Sequence, residues 1–177
     1  YVQTIGGASV KELLDENVSD DVPVRIISGN VLTGTKIEAD GYMGFFERQI
    51  TAIREGIEPE LFGWLIPKPN KFSISRALPS GFMRQVGEVK YDLDTNNHGE
   101  LRAFVVSGEY EKVFPFDIFP VHLLKAILNE DIDAMEKLGL YEVVEEDFAL
   151  CEVVCTSKIN VQNIVRDGLN LLRSEIG

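Results

Sequence analysis

The hydrophobic pattern changes its period near Asp117, and this change constrains the fold more than any other feature of the sequence. Before this point, short apolar runs such as VPVRIIS (22–28) are separated by turn residues. After it, apolar residues recur at helical spacing, as in PVHLLKAILN (120–129). Short alternating runs are typical of strands, and recurrence at about every third or fourth residue is typical of amphipathic helices. We therefore predict an α+β chain that is β-rich first and helical last.

Residues 1–56 predict a small module in the order strand, helix, strands. The run YVQTI is expected to be a strand, and VKELLDE (10–16) has apolar residues at helical spacing. VPVRIIS and GFFERQITAIREG (44–56) are expected to be further strands. Neither face of the last run is cleanly apolar, so it predicts an edge strand or an interface. This order of elements is typical of a β-grasp module.

Residues 57–116 predict a β-rich extension, and residues 117–177 predict a small C-terminal helical bundle. The extension contains four short apolar runs separated by turn residues. The strands expected there are ELFGWLIP (60–67), KFSISRAL (71–78), GEVKYDLD (87–94) and ELRAFVVSG (100–108). They form either a second sheet or an extension of the first.

The predicted bundle has four helices whose ends carry recognisable signals. Pro120 fits the first turn of the first helix, where its missing N–H costs little. Asp131 is expected to cap the second helix, Gly139 to end it and Asn160 to cap the fourth. The third helix is EEDFALCEVVC (145–155), with acidic residues at its positive end. The apolar residues expected to face the core are Val121, Leu124, Ile127 and Leu128 in the first helix and Val161, Ile164, Val165, Leu169, Leu172 and Ile176 in the last.

Charge and composition exclude several classes of protein. The 177 residues include 17 Lys and Arg against 29 Asp and Glu, a net charge of −12. Such a chain repels phosphate backbones, so we expect no nucleic-acid binding. No window approaches the roughly 18 uninterrupted apolar residues of a membrane span. The chain lacks an initiator Met and the pattern of a signal peptide, so we expect an excised or processed cytoplasmic chain with reduced thiols.

The two cysteines, Cys151 and Cys155, stand four residues apart in the third predicted helix. A helix places them on one face, about one turn apart. An iron–sulfur cluster normally needs four Cys ligands, and a structural zinc also needs four ligands. The only histidines, His98 and His122, lie in other predicted elements. We therefore expect both cysteines in the core, with a reversible disulfide and a metal or cluster site as the alternatives.

Several longer motifs, taken together, resemble one known family. In chain order they are RIISGNVLTG, GFFERQITAIREG, LFGWL, FSISR, GEYEKVFPFDIFP and GLYEVVEEDFALCEVVCTSKI. They resemble the C-terminal part of the A subunit of the bacterial sodium-translocating NADH:quinone reductase, across nearly the whole chain. The resemblance implies a β-grasp domain of the soluble-ligand-binding type, followed by helices. It also implies a peripheral subunit on the cytoplasmic face of the inner membrane.

The resemblance further implies the partners and cofactors. Other subunits of a complex that passes electrons from NADH to ubiquinone and exports sodium ions are the expected partners. The chain would meet the membrane only through them. Flavins and iron centres are implied in those subunits, and no cofactor in this chain. The family is also similar to the FMN-binding subunit of respiratory complex I, so ALCEVVCTSKI resembles the remnant of a cluster motif without its other ligands.

Two aromatic runs provide the candidate contacts with partner subunits or quinone. These candidates are Phe45, Phe46 and Arg48 in the first run, and Phe114, Phe116 and Phe119 in the second. The first run is expected to expose its side chains to a partner. The second is expected either to fill a hinge between sheet and helices or to meet a quinone tail or a membrane subunit.

Three functional hypotheses follow from the sequence. We predict a non-catalytic docking module that braces partner subunits. The alternative is a quinone-binding module that contributes directly to the ubiquinone site, and a third is an electron-carrying part that uses the cysteines. The pattern assembles no set of nucleophile, base and orienting group. Gly29, Asn30 and Gly34 in GNVLTG lack the spacing of a phosphate-binding loop, so we interpret them as turn residues.

Overall fold

The computed structural model describes residues 3–14, 17–18, 22–56, 72, 91, 93–97 and 101–176. The chain divides into two compact units, Tyr1–His98 and Gly99–Gly177. The first contains a small antiparallel sheet and a short helix, and the second contains helices. The predicted α+β class is therefore confirmed. The division into domains at residues 56 and 116 stays a prediction.

The first unit is built on a central strand that pairs along both of its edges. Strand β1 (Val24–Ser28) lies between β2 (Thr35–Ile37) and β3 (Ile50–Arg54), and both neighbours run antiparallel to it. Ile26 and Ile27 of β1 are buried, as suits β-branched residues on a pleated surface. Within the described strands, β1 therefore supplies the buried apolar side chains.

A short helix precedes the sheet and is tied to the segment between β2 and β3. Helix α1 (Val10–Leu14) buries Val10 completely. The backbone N–H of Val10 donates to the carbonyl of Gly41 at 3.0 Å, and that of Met43 donates to the carbonyl of Ala8 at 3.1 Å. The helix predicted over 10–16 is thus present in its described part.

The run GFFERQITAIREG is a strand only in its second half, from Ile50 onward. Its first half, residues 44–49, is a loop tied to the end of β1. The Ser28 hydroxyl accepts a hydrogen bond from the N–H of Gly44 at 2.9 Å, and the N–H of Gly29 donates to the carbonyl of Gln49 at 2.8 Å. These bonds curve the chain around the strand end, so the β pattern does not extend through Phe45 and Phe46.

The outer edge of β3 receives a further bridge, from Asp94 to Arg54 in the parallel sense. Beside this bridge, the Arg25 guanidinium donates to both carboxylate oxygens of Glu55, from Nε at 3.0 Å, and the Thr95 hydroxyl donates to Glu55 at 3.1 Å. The hydrogen bond from Arg25 is the main cause that lowers the pKa of Glu55. A bidentate ion pair therefore joins β1 to the residue after β3.

Most of the predicted β-rich extension lies outside the described residues. This applies to the strands expected over 60–67 and 71–78 and to most of 87–94. The strand expected over 100–108 is wrong in its described part, because residues 101–107 form neither helix nor strand. The N–H of Arg102 instead donates to the carbonyl of Ser157, and the Ser157 hydroxyl donates to the carbonyl of Ala103, each at 2.9 Å.

The second unit contains, within its described residues, α-helices joined by short 3-10 turns. The α-helices are α2 (Pro120–Leu128), α3 (Ile132–Lys137), α4 (Ala149–Val154) and α5 (Val161–Ile176). The 3-10 turns are Tyr110–Lys112, Leu140–Glu142 and Glu145–Phe148. The third predicted helix is therefore wrong over its first four residues. There the Asp147 carboxylate accepts from the N–H of Val144 at 2.9 Å, which closes a tight turn before α4 begins.

The helix ends predicted at Pro120, Asp131, Gly139 and Asn160 are confirmed. Pro120 is the first residue of α2. The Asp131 carboxylate accepts from the N–H of Ala134 at 3.0 Å, and the Asn160 side chain accepts from the N–H of Asn163 at 3.2 Å. Gly139 follows α3 with a φ of +86°, a left-handed conformation that favours glycine.

The core of the second unit gathers residues from all of its helices. Leu128 is 54% exposed at the end of α2, so its predicted place in the apolar stripe is wrong. Leu123 and Ala126, which were not predicted, are buried instead. The fully buried side chains of this unit include Val121, Leu123, Leu124, Met135, Leu140, Phe148, Cys151, Val161 and Val165.

Gly168 marks the closest approach between α2 and α5. A Cβ at this position would lie 2.9 Å from two carbons of Ile127. We expect Gly168→Ala to lower the free energy of unfolding by about 1 kcal/mol, because overpacking costs about 1–3 kcal/mol and alanine regains only about 1 kcal/mol of helix propensity. Urea unfolding followed by circular dichroism measures this change.

An Ile127→Ala background supplies the control for that prediction. There the added methyl fills the cavity left by the isoleucine, so Gly168→Ala is expected to raise the free energy of unfolding. Asn170→Ala, at an exposed position of α5, reports the effect of helix propensity alone. Equal effects of Gly168→Ala in both backgrounds would contradict the close approach.

The lowered pKa of Glu55 predicts a dependence of stability on pH. Its folded pKa lies below the ordinary value of 4.5, so the unfolded chain binds more protons as the pH falls through this window. The stabilisation is complete above about pH 4.5 and is lost as the pH falls through the folded pKa. We expect Glu55→Gln to make the acid-induced loss of stability shallower in urea titrations, whereas the exposed Glu38→Gln leaves it unchanged.

Candidate functional site

The loop 44–49 presents two aromatic side chains to solvent. Phe45 is 82% exposed and Phe46 is 90% exposed. Their ring centroids lie 5.1 Å apart with the ring planes perpendicular, an edge-to-face arrangement that aromatic pairs prefer. Arg48, in the same loop, is exposed as well. The three candidates of the first aromatic run therefore share one loop, and their contact with a partner stays a prediction.

The neighbouring loop 29–34 is ordered by hydrogen bonds of its own. The side-chain oxygen of Asn30 accepts from the N–H groups of Leu32 and Thr33, at 2.8 and 3.0 Å. The N–H of Gly34 donates to the carbonyl of Asn30 at 2.9 Å. These N–H groups are committed within the turn, which supports the interpretation of GNVLTG as turn residues.

The structure divides the second aromatic run between the core and the surface. Phe114 is buried, with its ring centroid 4.6 Å from that of Phe148 and 5.8 Å from that of Phe116. Phe116 and Phe119 are exposed. One of the three predicted contacts is therefore a core residue of the second unit.

The two cysteines lie beside Tyr110 in the core of the second unit. Cys151 belongs to α4 and Cys155 follows its last residue, and both are buried free thiols. The Tyr110 ring stacks on Phe104 with centroids 5.9 Å apart. Its buried hydroxyl makes no hydrogen bond of good geometry with the described residues. Tyr110 was not predicted from the sequence, since a tyrosine between acidic residues is typical of a surface position.

Burial dominates the electrostatics of this cluster. Loss of hydration raises the pKa of the Cys151 thiol to about 12, and the nearby charge of Glu111 acts in the same direction. Burial, followed by the proximity of Cys155, raises the pKa of Tyr110 above its ordinary range. Both groups are therefore neutral near pH 7. The thiolate, which is the form that acts as a nucleophile or metal ligand, is therefore much scarcer at Cys151 than at an ordinary cysteine.

The described residues contain no further constellation with obvious chemistry. Among them, no group of three or more His, Cys, Asp or Glu side chains lies together as metal ligands. No helix in the described part of the chain is both long and apolar enough to cross a membrane. Among the described residues, we therefore take the exposed aromatic pair of loop 44–49 as the candidate site.

Comparison with known proteins places this chain beside one set of relatives. Residues 1–39 match the family model described as "NQRA C-terminal domain". The A subunit of a Na(+)-translocating NADH-quinone reductase from Shewanella frigidimarina is 41% identical over 177 residues, 98% of this chain and 38% of the relative. The protein of that name from Yersinia pseudotuberculosis is 42% identical over 170 residues, 96% of this chain and 37% of the relative. The one from Rhodopirellula baltica is 37% identical over 175 residues. The chain thus spans less than half the length of these relatives.

Burial of the thiols predicts that they resist modification in the folded chain. The pKa of Cys151 rises from 9.0 to about 12, which lowers its thiolate fraction roughly a thousandfold at mildly alkaline pH. We expect a Cys155→Ser variant, which isolates Cys151, to react with a disulfide reagent only slowly when folded. The same variant should react at the ordinary rate in guanidinium. Rapid reaction of the folded variant would contradict the buried position and revive the redox hypothesis.

Proposed function

We propose that the chain belongs to the family of A subunits of the Na(+)-translocating NADH-quinone reductase and acts as a docking module of that reductase. Relatives of that name are 41% and 42% identical to it over 98% and 96% of this chain, and residues 1–39 match the family model, which supports the proposal. It braces the other subunits of the complex through surface contacts and performs no chemical step itself. It lies on the cytoplasmic face of the bacterial inner membrane and meets the membrane only through its partners. The net charge of −12 supports a protein partner over nucleic acid.

The observation that carries this proposal is the exposed pair Phe45 and Phe46. Aromatic side chains are enriched in the centres of protein interfaces, and they bury large areas at a small cost in conformational entropy. A soluble protein gains nothing in stability from two neighbouring rings that face water. The two rings are exposed in the isolated chain because, in this proposal, a partner subunit covers them in the complex. Arg48, which is exposed in the same loop, places a positive charge at the rim of that contact.

We also propose a finer description of the fold and its cofactors. Residues 1–56 form a β-grasp domain of the soluble-ligand-binding type, residues 57–116 extend it with further strands, and residues 117–177 form a helical bundle. Flavins and iron centres lie in the partner subunits. The burial and the raised pKa of Cys151 support a structural role for the cysteine pair.

Direct binding of ubiquinone by this chain is not favoured by the second aromatic run. A quinone site there would need Phe114, Phe116 and Phe119 to line one surface. Phe114 instead packs against Phe148 in the core. We therefore keep docking as the proposed function and leave quinone access to the assembled complex.

Reversal of the charge at Arg48 tests the docking proposal. We expect Arg48→Glu to weaken co-purification of this protein with the rest of the reductase, because it removes a guanidinium whose N–H groups can donate to carbonyl or carboxylate oxygens of the partner at the rim of the contact. The free energy of unfolding should change by no more than about 0.5 kcal/mol, since Arg48 is exposed. Co-purification is quantified from the molar ratio of this protein to the other subunits over a series of salt concentrations.

Arg173→Glu provides the matched control. Arg173 is an exposed arginine on α5 of the second unit, and its reversal should leave assembly unchanged. Normal assembly of both variants would show that the contacts are wrongly placed at loop 44–49. Failure of the protein of native sequence to co-purify with the reductase would refute the docking proposal itself.

A further inference from the structure

Loops 29–34 and 44–49 leave the same end of the sheet. Ser28, the last residue of β1, pairs with Thr35 of β2 and with Ile50 of β3. The start and the end of loop 29–34 and the end of loop 44–49 therefore lie next to one another, around Ser28. They are also bonded to each other across this end, because the N–H of Gly29 donates to the carbonyl of Gln49. The sheet register thus brings two segments that are distant in sequence onto one surface.

This surface combines an aliphatic tip with the aromatic pair. Val31, at the tip of loop 29–34, is 59% exposed. Phe45 and Phe46 are exposed on the neighbouring loop. The Asn30 side chain holds the Val31 loop in one conformation through its hydrogen bonds to the backbone. A surface that is ordered before binding loses less entropy when a partner covers it.

A carboxylate lies between the two loops. An Oε atom of Glu47 is 2.7 Å from the position that a Cβ on Gly29 would occupy, so the glycine leaves room for the carboxylate over its backbone. Gly29 has a φ of +98°, which also favours glycine there. Glu47 is half-buried, and none of the described residues forms an ion pair with it. The carboxylate oxygens of Glu47 are therefore available to accept charge-assisted hydrogen bonds from a Lys or Arg of a partner.

We propose that Val31, Phe45, Phe46 and Glu47 form one docking surface for a protein segment of another reductase subunit, in which a Lys or Arg stands beside apolar side chains. The apolar side chains of that segment cover Val31 and the aromatic pair, and its cation pairs with Glu47. This inference rests on the proposed docking function and specifies the chemistry of the partner. We name these four residues the sheet-end surface.

The charge of the chain distinguishes this partner from a lipid surface. Anionic phospholipids attract basic surfaces, whereas the sheet-end surface carries a carboxylate on a chain of net charge −12. Aromatic rings alone suit either a bilayer interface or a protein. The combination of rings with a carboxylate that pairs with no described cation fits a basic, apolar protein segment.

Photo-crosslinking in the assembled reductase tests the shared surface. The photoreactive residue p-benzoylphenylalanine replaces Val31 in one variant and Phe45 in another, and crosslinked peptides are identified by mass spectrometry. We expect both positions to capture the same segment of another subunit, with a Lys or Arg in that segment. The same residue in place of Val22, an exposed position just before β1 at the opposite end of the same sheet, controls for non-specific capture and should not reach this segment.

The charge pairing is tested in the same complex. We expect Glu47→Gln to weaken assembly about tenfold and to reduce its dependence on salt, as loss of a close charge pair does. Glu38→Gln, which neutralises an exposed glutamate beyond the other end of β2, should change neither. Circular dichroism confirms that each variant is folded before assembly is measured.

The outcomes separate failure of this inference from failure of the proposed function. Capture of different segments by the two positions, capture of lipid, or capture of a second copy of the chain would overturn the sheet-end surface. Unchanged assembly of Glu47→Gln would overturn the charge pairing. In all of these cases a chain that still co-purifies with the reductase retains its docking function through another surface.

Discussion

The antiparallel pairing of β1 along both edges is the constraint on which the proposed docking surface depends. Because Ser28 has partners in both β2 and β3, the loops that follow β1 and precede β3 must meet at one end of the sheet. Ile26 and Ile27 lie on opposite faces of β1 and both are buried, so β1 is covered on both faces there and is held by hydrogen-bonded neighbours on both edges. Core packing in the strand therefore positions exposed residues several positions away.

In the second unit, polar caps fix the helix ends and buried apolar side chains hold the helices together. Asp131 and Asn160 close helix N-termini with side-chain oxygens. The cysteine pair sits inside this core with a thiol pKa of about 12 at Cys151. The segment ALCEVVCTSKI resembles a cluster motif, but its surroundings keep the Cys151 thiol protonated. Packing in the core accounts for the burial of both cysteines.

Local signals made much of the fold predictable, and non-local contacts account for the errors. Pro120 and Asp131 act within one helical turn, so their roles follow from spacing alone. Residues 101–107 have a strand-like composition but bond to the turn at Ser157, which no local pattern encodes. Val31 was not predicted as a contact because it lies in a predicted turn, and its role depends on the distant loop beside it.

Hydrogen–deuterium exchange of the protein, free in solution and within the assembled reductase, tests docking at the sheet-end surface. We predict that the backbone amides of loops 29–34 and 44–49 exchange more slowly in the complex, while amides around Asn170 on α5 do not change. Slower exchange confined to the second unit would contradict a docking surface at the sheet end. No difference anywhere between the two states would contradict docking by this chain.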